Sequence, residues 1–176
     1  MDGYNHLDIK ITPEMICSEI IKSLGIQKND IVLEVACGAG FLSQYMKDHC
    51  IYLGVDYCGP LIETNCKLHN VAAFECEANN LFFPHNSCNF CFCFGLFQYL
   101  PSLIYANEVL DQMFQIARNG VFIGDVRTKS SLKQHMTYTP SWFEKNCMQI
   151  TPCIYNKDDK TRFNAVVKFD GGENDE

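Results

Sequence analysis

Positive charge is scarce in this sequence. Lys and Arg number 14 against 21 Asp and Glu, a formal net charge of -7. A folded surface with that balance repels polyphosphate unless it gathers a basic patch, and the basic residues here are scattered. Nucleic acid is therefore not an expected partner. Long apolar runs are also missing, and none approaches the roughly 20 residues of a membrane-spanning helix. The first ten residues, MDGYNHLDIK, are polar and carry acids, so they do not read as a signal peptide. Internal repeats, low-complexity tracts and dividing linkers are absent. The 176 residues are thus expected to form one domain over 1–169, ended by an acidic, solvated tail at 170–176.

Cysteine, by contrast, is plentiful. Eleven occur, but the odd count and irregular spacing argue against a disulfide scaffold. Free thiols fit a reducing, cytoplasmic setting. Cys88, Cys91 and Cys93 form C-x-x-C-x-C, a spacing with a metal-binding look. From Phe90 to Phe94, however, aromatic and cysteine residues alternate with period two. That pattern describes a central strand buried on both faces. Neighbouring side chains would then point to opposite sides, and no second ligand pair follows at finger-like spacing, so no metal is expected.

Helix and strand signals alternate along the chain. Thr12-Pro13-Glu14 supplies a cap, a first-turn proline and an acid; Ile16, Ile20, Ile21 and Leu24 form a stripe that Gly25 stops. Strands are expected at Ile31 to Cys37, Ile51 to Val55, Val71 to about Cys76, Phe90 to Phe94 and Val121 to Ile123. Helices are expected after Gly40, from Gly59-Pro60 to about His69, and from about Leu103 to Arg118, where Asn119-Gly120 would end the last. A short helix should start at Thr139-Pro140-Ser141. Gln149 to Tyr155 and Arg162 to Phe169 read as an antiparallel pair around Asn156-Lys157-Asp158-Asp159. The fold class that follows is α/β: one open, mostly parallel twisted sheet of about seven strands, with helices on both faces and an antiparallel C-terminal edge strand.

In such sheets ligands bind beyond the carboxyl ends of the strands, so the residues there carry the functional signal. VLEVACGAG runs a strand into Gly38-Ala39-Gly40, a turn that lets a ligand approach backbone at a helix N-terminus. A glycine turn alone fits a dinucleotide enzyme equally well. Asp56 ends YLGVD, 18 residues after Gly38, where a carboxylate can accept from both ribose hydroxyls. Glu77-Ala78 follows the third strand, where a carboxylate can accept from an adenine amino group.

These segments together resemble the class I, Rossmann-like S-adenosylmethionine-dependent methyltransferases of small-molecule type, over roughly residues 13 to 169. VLEVACGAG is similar to their motif I, with Glu34 as its leading acid. LGVDYCGPLIETN, FECEANNLFFPHNSCNFCFCFGLFQYL, ARNGVFIGDV and RFNAVVKF resemble later segments. The resemblance implies that Gly38 and Gly40 pack under the methionine part of the cofactor. It makes Asp56 the ribose ligand, sets Tyr57 beside the adenine, puts Glu77 and Ala78 at the adenine position, and ends a strand near the cofactor at Phe94. Residues 1–12, with Tyr4 and His6, match a segment that many relatives use as a lid. The first motif glycine is Ala36 here, at a point where the turn is not expected to have begun. Glu77 replaces the usual Asp, Asn89 a common Asp and Phe82 a usual proline. A dinucleotide site fits less well, because its third glycine would fall at Ser43.

The implied activity is methyl transfer from S-adenosylmethionine, leaving S-adenosylhomocysteine. Enzymes that methylate DNA bases or glutamine often carry Asn/Asp-Pro-Pro-aromatic after strand four, whereas this chain has Phe94-Gly95-Leu96-Phe97. A small metabolite or a sugar-like hydroxyl is the expected acceptor, with O-methylation favoured. A protein or RNA methyltransferase and a non-catalytic, cofactor- or partner-binding relative stay open, as do monomer and homodimer. On the acceptor side, Gln98 follows strand four and Asp125 ends strand five. His135 sits with Tyr138 in the loop from Thr128 to Thr139, which is long enough to fold over the site. His135 is the candidate base, and Asp125 the group that orients it or the acceptor.

Overall fold

The computed structural model describes residues 11–154 and 159–169. Helix α1, Pro13–Leu24, forms where its end signals stand. The Thr12 side chain accepts from the Met15 amide, and Gly25, at φ 82°, returns its N–H to the Ile21 carbonyl. Ile16, Cys17, Ile20 and Leu24 form the buried face. Strand β1 (Ile31–Val35) leads to the short helix α2 (Ser43–Met46), then β2 (Ile51–Asp56), α3 (Gly59–His69) and β3 (Ala72–Glu75). Next come β4 (Cys88–Phe94), a 3-10 turn at Phe97–Tyr99, α4 (Leu103–Ile116) and β5 (Ala117–Arg127). The chain closes with α5 (Pro140–Glu144), β6 (Gln149–Pro152) and β7 (Arg162–Lys168).

All seven strands join one sheet in the order β3-β2-β1-β4-β5-β7-β6. The first five are parallel, and β7 runs antiparallel between β5 and β6. The expected antiparallel C-terminal strand is thus present, with β6 outside it at the edge. Strand order reverses between β1 and β4, which opens a crevice above their carboxyl ends.

Period-two alternation decides which side chain meets which helix. Leu33, Val35, Cys91, Cys93, Val121 and Ile123 face the core that includes Val109, Leu110 and Met113 of α4. Val32, Phe90, Phe92 and Phe122 face the other core, with Ile16 and Ile20 of α1. The cysteines and phenylalanines of β4 therefore lie on opposite faces. Among the described residues no group of three His, Cys, Asp or Glu is placed to hold a metal ion, and no helix is long and apolar enough to cross a membrane.

The end of α4 differs from expectation. The helix stops at Ile116 and the chain enters β5 directly at Ala117, so Asn119-Gly120 lies within the strand. Gly120 pairs with Phe90 on one side and Lys168 on the other. A Cβ there would lie 2.5 Å from the Val167 carbonyl oxygen. This glycine is set by the close approach of β7, a constraint from 48 residues away in sequence.

Cys91 and Cys93 are buried thiols, and Cys147 is exposed. Burial pushes the Cys91 and Cys93 thiols up, which leaves little thiolate at neutral pH. Iodoacetamide on the native protein should modify Cys147 first and reach Cys91 and Cys93 after unfolding in urea. Native-state labelling of Cys91 or Cys93 in a peptide mass map would contradict the buried strand.

Candidate active site

The turn after β1 is fixed before any ligand arrives. The Cys37 N–H donates to the Val55 carbonyl at 2.9 Å, and the Gly40 N–H to the Cys37 carbonyl at 3.1 Å. Asp56, at the end of β2 and 7% exposed, accepts from the Gly38 N–H at 2.9 Å and from the Cys58 N–H at 3.0 Å. One carboxylate thus ties the first turn to the second. Two further lone-pair positions remain on it.

Ala36 has φ 66°, so the left-handed turn begins there and not after it, contrary to expectation. The family's glycine would adopt this conformation freely; an alanine holds it against steric cost. The two glycines that follow divide their roles. A Cβ on Gly38 would meet no described atom within 4 Å, so its bare face looks into open space. A Cβ on Gly40 would strike the side chains of Asn65 and His69 on α3 and lie 2.6 Å from Ser43 Oγ. Gly40 is thus required by the packing of α2 and α3.

Beyond the carboxyl ends of β1, β2 and β3 lies a cavity of about 320 Å³, within the range of small-molecule sites. Val35, Ala36, Asp56 and Tyr57 line one side, and Cys76, Glu77 and Ala78 the next. Leu96, Tyr99, Leu100 and Pro101, which follow β4, close it with Tyr105 of α4. Of the cofactor residues expected from sequence, Ala36, Asp56, Tyr57, Glu77 and Ala78 meet here. Glu34, Gly38, Gly40 and Phe94 do not line this cavity; Phe94 packs against the core on the α1 side. Tyr4 and His6 lie outside the described residues, as do the tail and most of the proposed lid. The leucines and Tyr99 after β4 were legible in principle as residues following a strand. Tyr105 was not, because its helix reads in sequence as a core element.

Two titratable groups stand at this cavity, one sealed beside it and one on its wall. Glu34, 3% exposed, accepts from the Tyr52 hydroxyl at 2.6 Å. Burial pushes its carboxyl up to about 8, against the opposing pull of that hydrogen bond. Tyr105 donates its hydroxyl to Glu77 Oε2 at 2.8 Å. Burial, and then this bond, push the phenol up to about 12, so it keeps its proton at neutral pH.

The acceptor-side candidates cluster at the ends of β4 and β5. Asp125, 1% exposed and at φ 57°, interrupts the pairing of β5 with β7. Its Oδ1 is 2.5 Å from Arg162 Nη1, and its amide donates to Asn164 Oδ1 at 3.1 Å. Burial pushes its carboxyl up while Arg162 pulls it down. A Cβ on Gly95 would lie 3.6 Å from Gln98 Nε2 and 3.9 Å from Asp125 Oδ2, so both face one bare stretch of backbone. Gln98 is buried, and its Oε1 has no partner among the described residues. The loop after β5 folds over this turn. The Met136 N–H donates to the Gln98 carbonyl at 2.9 Å, and the Tyr138 hydroxyl to the Phe97 carbonyl at 3.0 Å. His135 sits edge-on to Tyr99, 5.0 Å between centroids, with Nδ1 3.1 Å from Ser130 Oγ. Asp125 and His135 thus hold different partners, Arg162 and Ser130, in this arrangement.

A family model described as a methyltransferase domain matches residues 32–120, half of the chain. The chain belongs to the methyltransferase domain family. The sheet of this methyltransferase domain has the class I, Rossmann-like arrangement. A phosphoethanolamine N-methyltransferase 1 from Haemonchus contortus superposes with TM-score 0.74 at 15% identity, covering 93% of this chain and 44% of that one. The methyltransferase domain thus spans less than half the length of that enzyme. A SAM-dependent methyltransferase from Aquifex aeolicus gives TM-score 0.63 at 18% identity, covering 86% and 88%. Magnesium protoporphyrin IX methyltransferase from Synechocystis PCC 6803 gives 0.68 at 10%, covering 89% and 79%. No curated protein sequence matches the chain.

Two predictions follow from the turn and from Glu34. Gly38→Ala should cost about 1–2 kcal/mol, the penalty of a left-handed L-residue in open space. Gly40→Ala adds a packing clash and should cost about 2–5 kcal/mol. Urea midpoints that fall equally for the two variants would refute the division of roles. Glu34 binds its proton more tightly folded, at about 8, than at the ordinary 4.5. Its contribution to stability is full below about 4.5 and is lost as the pH rises through about 8. Glu34→Gln should therefore lose less stability than wild type between about pH 5 and pH 8. Identical pH dependence in the two proteins would mean that Glu34 is ionised in the fold.

Proposed function

We propose that this domain transfers a methyl group from S-adenosylmethionine to a small-molecule acceptor, with an oxygen acceptor favoured. The observation that carries the reading is one cavity beyond the strand ends of the sheet, lined by Ala36, Asp56 and Glu77, whose Asp56 also holds the turn after β1.

The residues present fit the cofactor. The bare face of Gly38 opens onto free space, where a Cβ would intrude on a ligand lying against the backbone. Asp56 keeps lone pairs for the two ribose hydroxyls after accepting its two amides. Glu77 offers its second oxygen to the adenine amine, and Tyr57, Ala78 and Leu100 offer flat apolar wall. Glu34 and Gly40 act one layer back: Gly40 shapes the turn, and Glu34 with Tyr52 supports it from below. Phe94 packs under the same edge, and Tyr4 would cover the cofactor. When bound, the cofactor supplies a methyl group already activated on sulfonium, so the protein's task is to hold and align the acceptor.

On the acceptor side, Gln98 and Asp125 face the same backbone at Gly95, the amide nitrogen of Gln98 as a donor and the Asp125 carboxylate as an acceptor, a pair suited to a hydroxyl. His135 takes the acceptor's proton, with Ser130 holding its other ring nitrogen. The net charge of -7 supports a small molecule over a nucleic acid. Because the fold carries both an N-methyltransferase and a porphyrin methyltransferase, the acceptor reading rests on this chain's own residues. The free thiols fit a reducing compartment such as the cytoplasm.

Calorimetry with S-adenosylhomocysteine tests the cofactor half. Wild type should bind, and Asp56→Ala should lose about 1–3 kcal/mol of affinity, the scale of hydrogen bonds to a charged group. Absence of wild-type binding at millimolar ligand would overturn the proposal. Transfer of a labelled methyl group into a metabolite extract, with and without macromolecules, tests the acceptor half. Label that appears in protein or RNA alone would exclude the small-molecule reading.

A further inference from the structure

Helix α4 grips the segment that follows β3 at three points. Tyr105, Glu108 and Gln112 stand at i, i+3 and i+7, on one face of the helix. Tyr105 donates its hydroxyl to Glu77 Oε2 at 2.8 Å. Asn79 Nδ2 donates to Glu108 Oε2 at 2.9 Å, and the Leu81 N–H to Gln112 Oε1 at 3.0 Å. The opposite face, with Ala106, Val109, Leu110 and Met113, is buried in the core. Residues 77, 79 and 81 are thus fastened to an element that is itself fixed to the sheet.

The first of these bonds lies within the cavity, which Tyr105, Glu77 and Ala78 all line. A free glutamate has several rotors and can present either oxygen, and ordering it on ligand binding costs affinity. Here Oε2 accepts from a phenol, which leaves Oε1 of this cavity-lining side chain as the oxygen free to accept from a ligand. A carboxylate held this way accepts from an amine and repels a carbonyl at the same position.

We infer that Tyr105 is a positioning residue for base selectivity: by fixing Glu77 it restricts the cavity to a purine bearing an exocyclic amine and rejects its 6-oxo counterpart. The inference rests on the adenosyl reading of the cavity proposed above, and adds a residue on α4 that decides how sharply the base is chosen. It also gives the longer Glu77, in place of a shorter acid, a fixed orientation.

The test compares S-adenosylhomocysteine with S-inosylhomocysteine, in which oxygen replaces the amine, by calorimetry on the full chain. Wild type should prefer the adenosyl ligand by about a hundredfold or more, as sites built around a hydrogen bond do. Tyr105→Phe keeps the ring and loses the hydroxyl. It should weaken the adenosyl ligand about tenfold, equivalent to about 1.4 kcal/mol, and leave the inosyl ligand nearly unchanged, so selectivity falls. In a Glu77→Gln background the same substitution should have no further effect on selectivity. Equal weakening of both ligands by Tyr105→Phe would reduce Tyr105 to a cavity wall and overturn the inference. So would unchanged affinity for both. A wild type that binds neither ligand overturns the cofactor reading, and this inference with it. A wild type that binds the adenosyl ligand without preference overturns the inference alone.

Discussion

Two backbone amides converge on the Asp56 carboxylate, and the arrangement of the site depends on that convergence. The amides belong to Gly38, in the turn after β1, and Cys58, at the start of α3. Each such bond to a charged acceptor contributes about 1.5–3 kcal/mol. Removing the acid would leave two amide donors at the mouth of the cavity without their partner. Because one group both builds the turn and faces the ligand, the geometry of the site is set before binding, and little ordering remains for the ligand to impose.

The sheet makes this convergence possible. Parallel pairing of β1 with β2 aligns Val35 with Val55, so the two strands end side by side and their turns emerge together. Gly54, within β2, admits the Cys37 side chain over the strand, where a Cβ would lie 2.8 Å from its Sγ. Alternation along β4 gives α4 its packing surface on one face and α1 its own on the other. The residues after β4 are carried to the cavity by a strand that is almost wholly buried. Rigidity at the site thus comes from apolar packing beneath it, and polar bonds add direction.

Charge is handled differently on the two sides of the switch point. Beneath the first turn, Glu34 has the Tyr52 hydroxyl as partner; burial, and then the nearby Asp56 charge, favour its neutral form. At the end of β5, Asp125 is equally buried but paired with Arg162, which opposes that effect. An ion pair in such a place adds little net stability, because desolvation offsets attraction, but it fixes the direction of the groups involved. The bulge at Asp125 and its left-handed backbone turn this carboxylate from the β5–β7 ladder toward Gly95.

Much of this was legible in the sequence because it depends on local spacing. The cap and stop of α1, the period-two run in β4, the glycine turn and the acid 18 residues beyond it are set by neighbours along the chain. Those features determine an α/β sheet with a ligand edge and name Asp56, Glu77 and Ala78 as residues at that edge, while Tyr57 was placed there by the family resemblance. Tertiary structure alone decided the rest, since it depends on which distant segments come into contact. Gly40 looks like part of a cradle in sequence but is required by the packing of α3, and Gly120 looks like a turn but is required by β7. Asp125 finds Arg162, 37 residues away, and His135 meets Tyr99 from the segment after β4. Tyr105 reaches Glu77 because the sheet brings α4 against the segment after β3. Period and spacing specify the direction a side chain takes from its own element; only the packed fold fixes what stands opposite it.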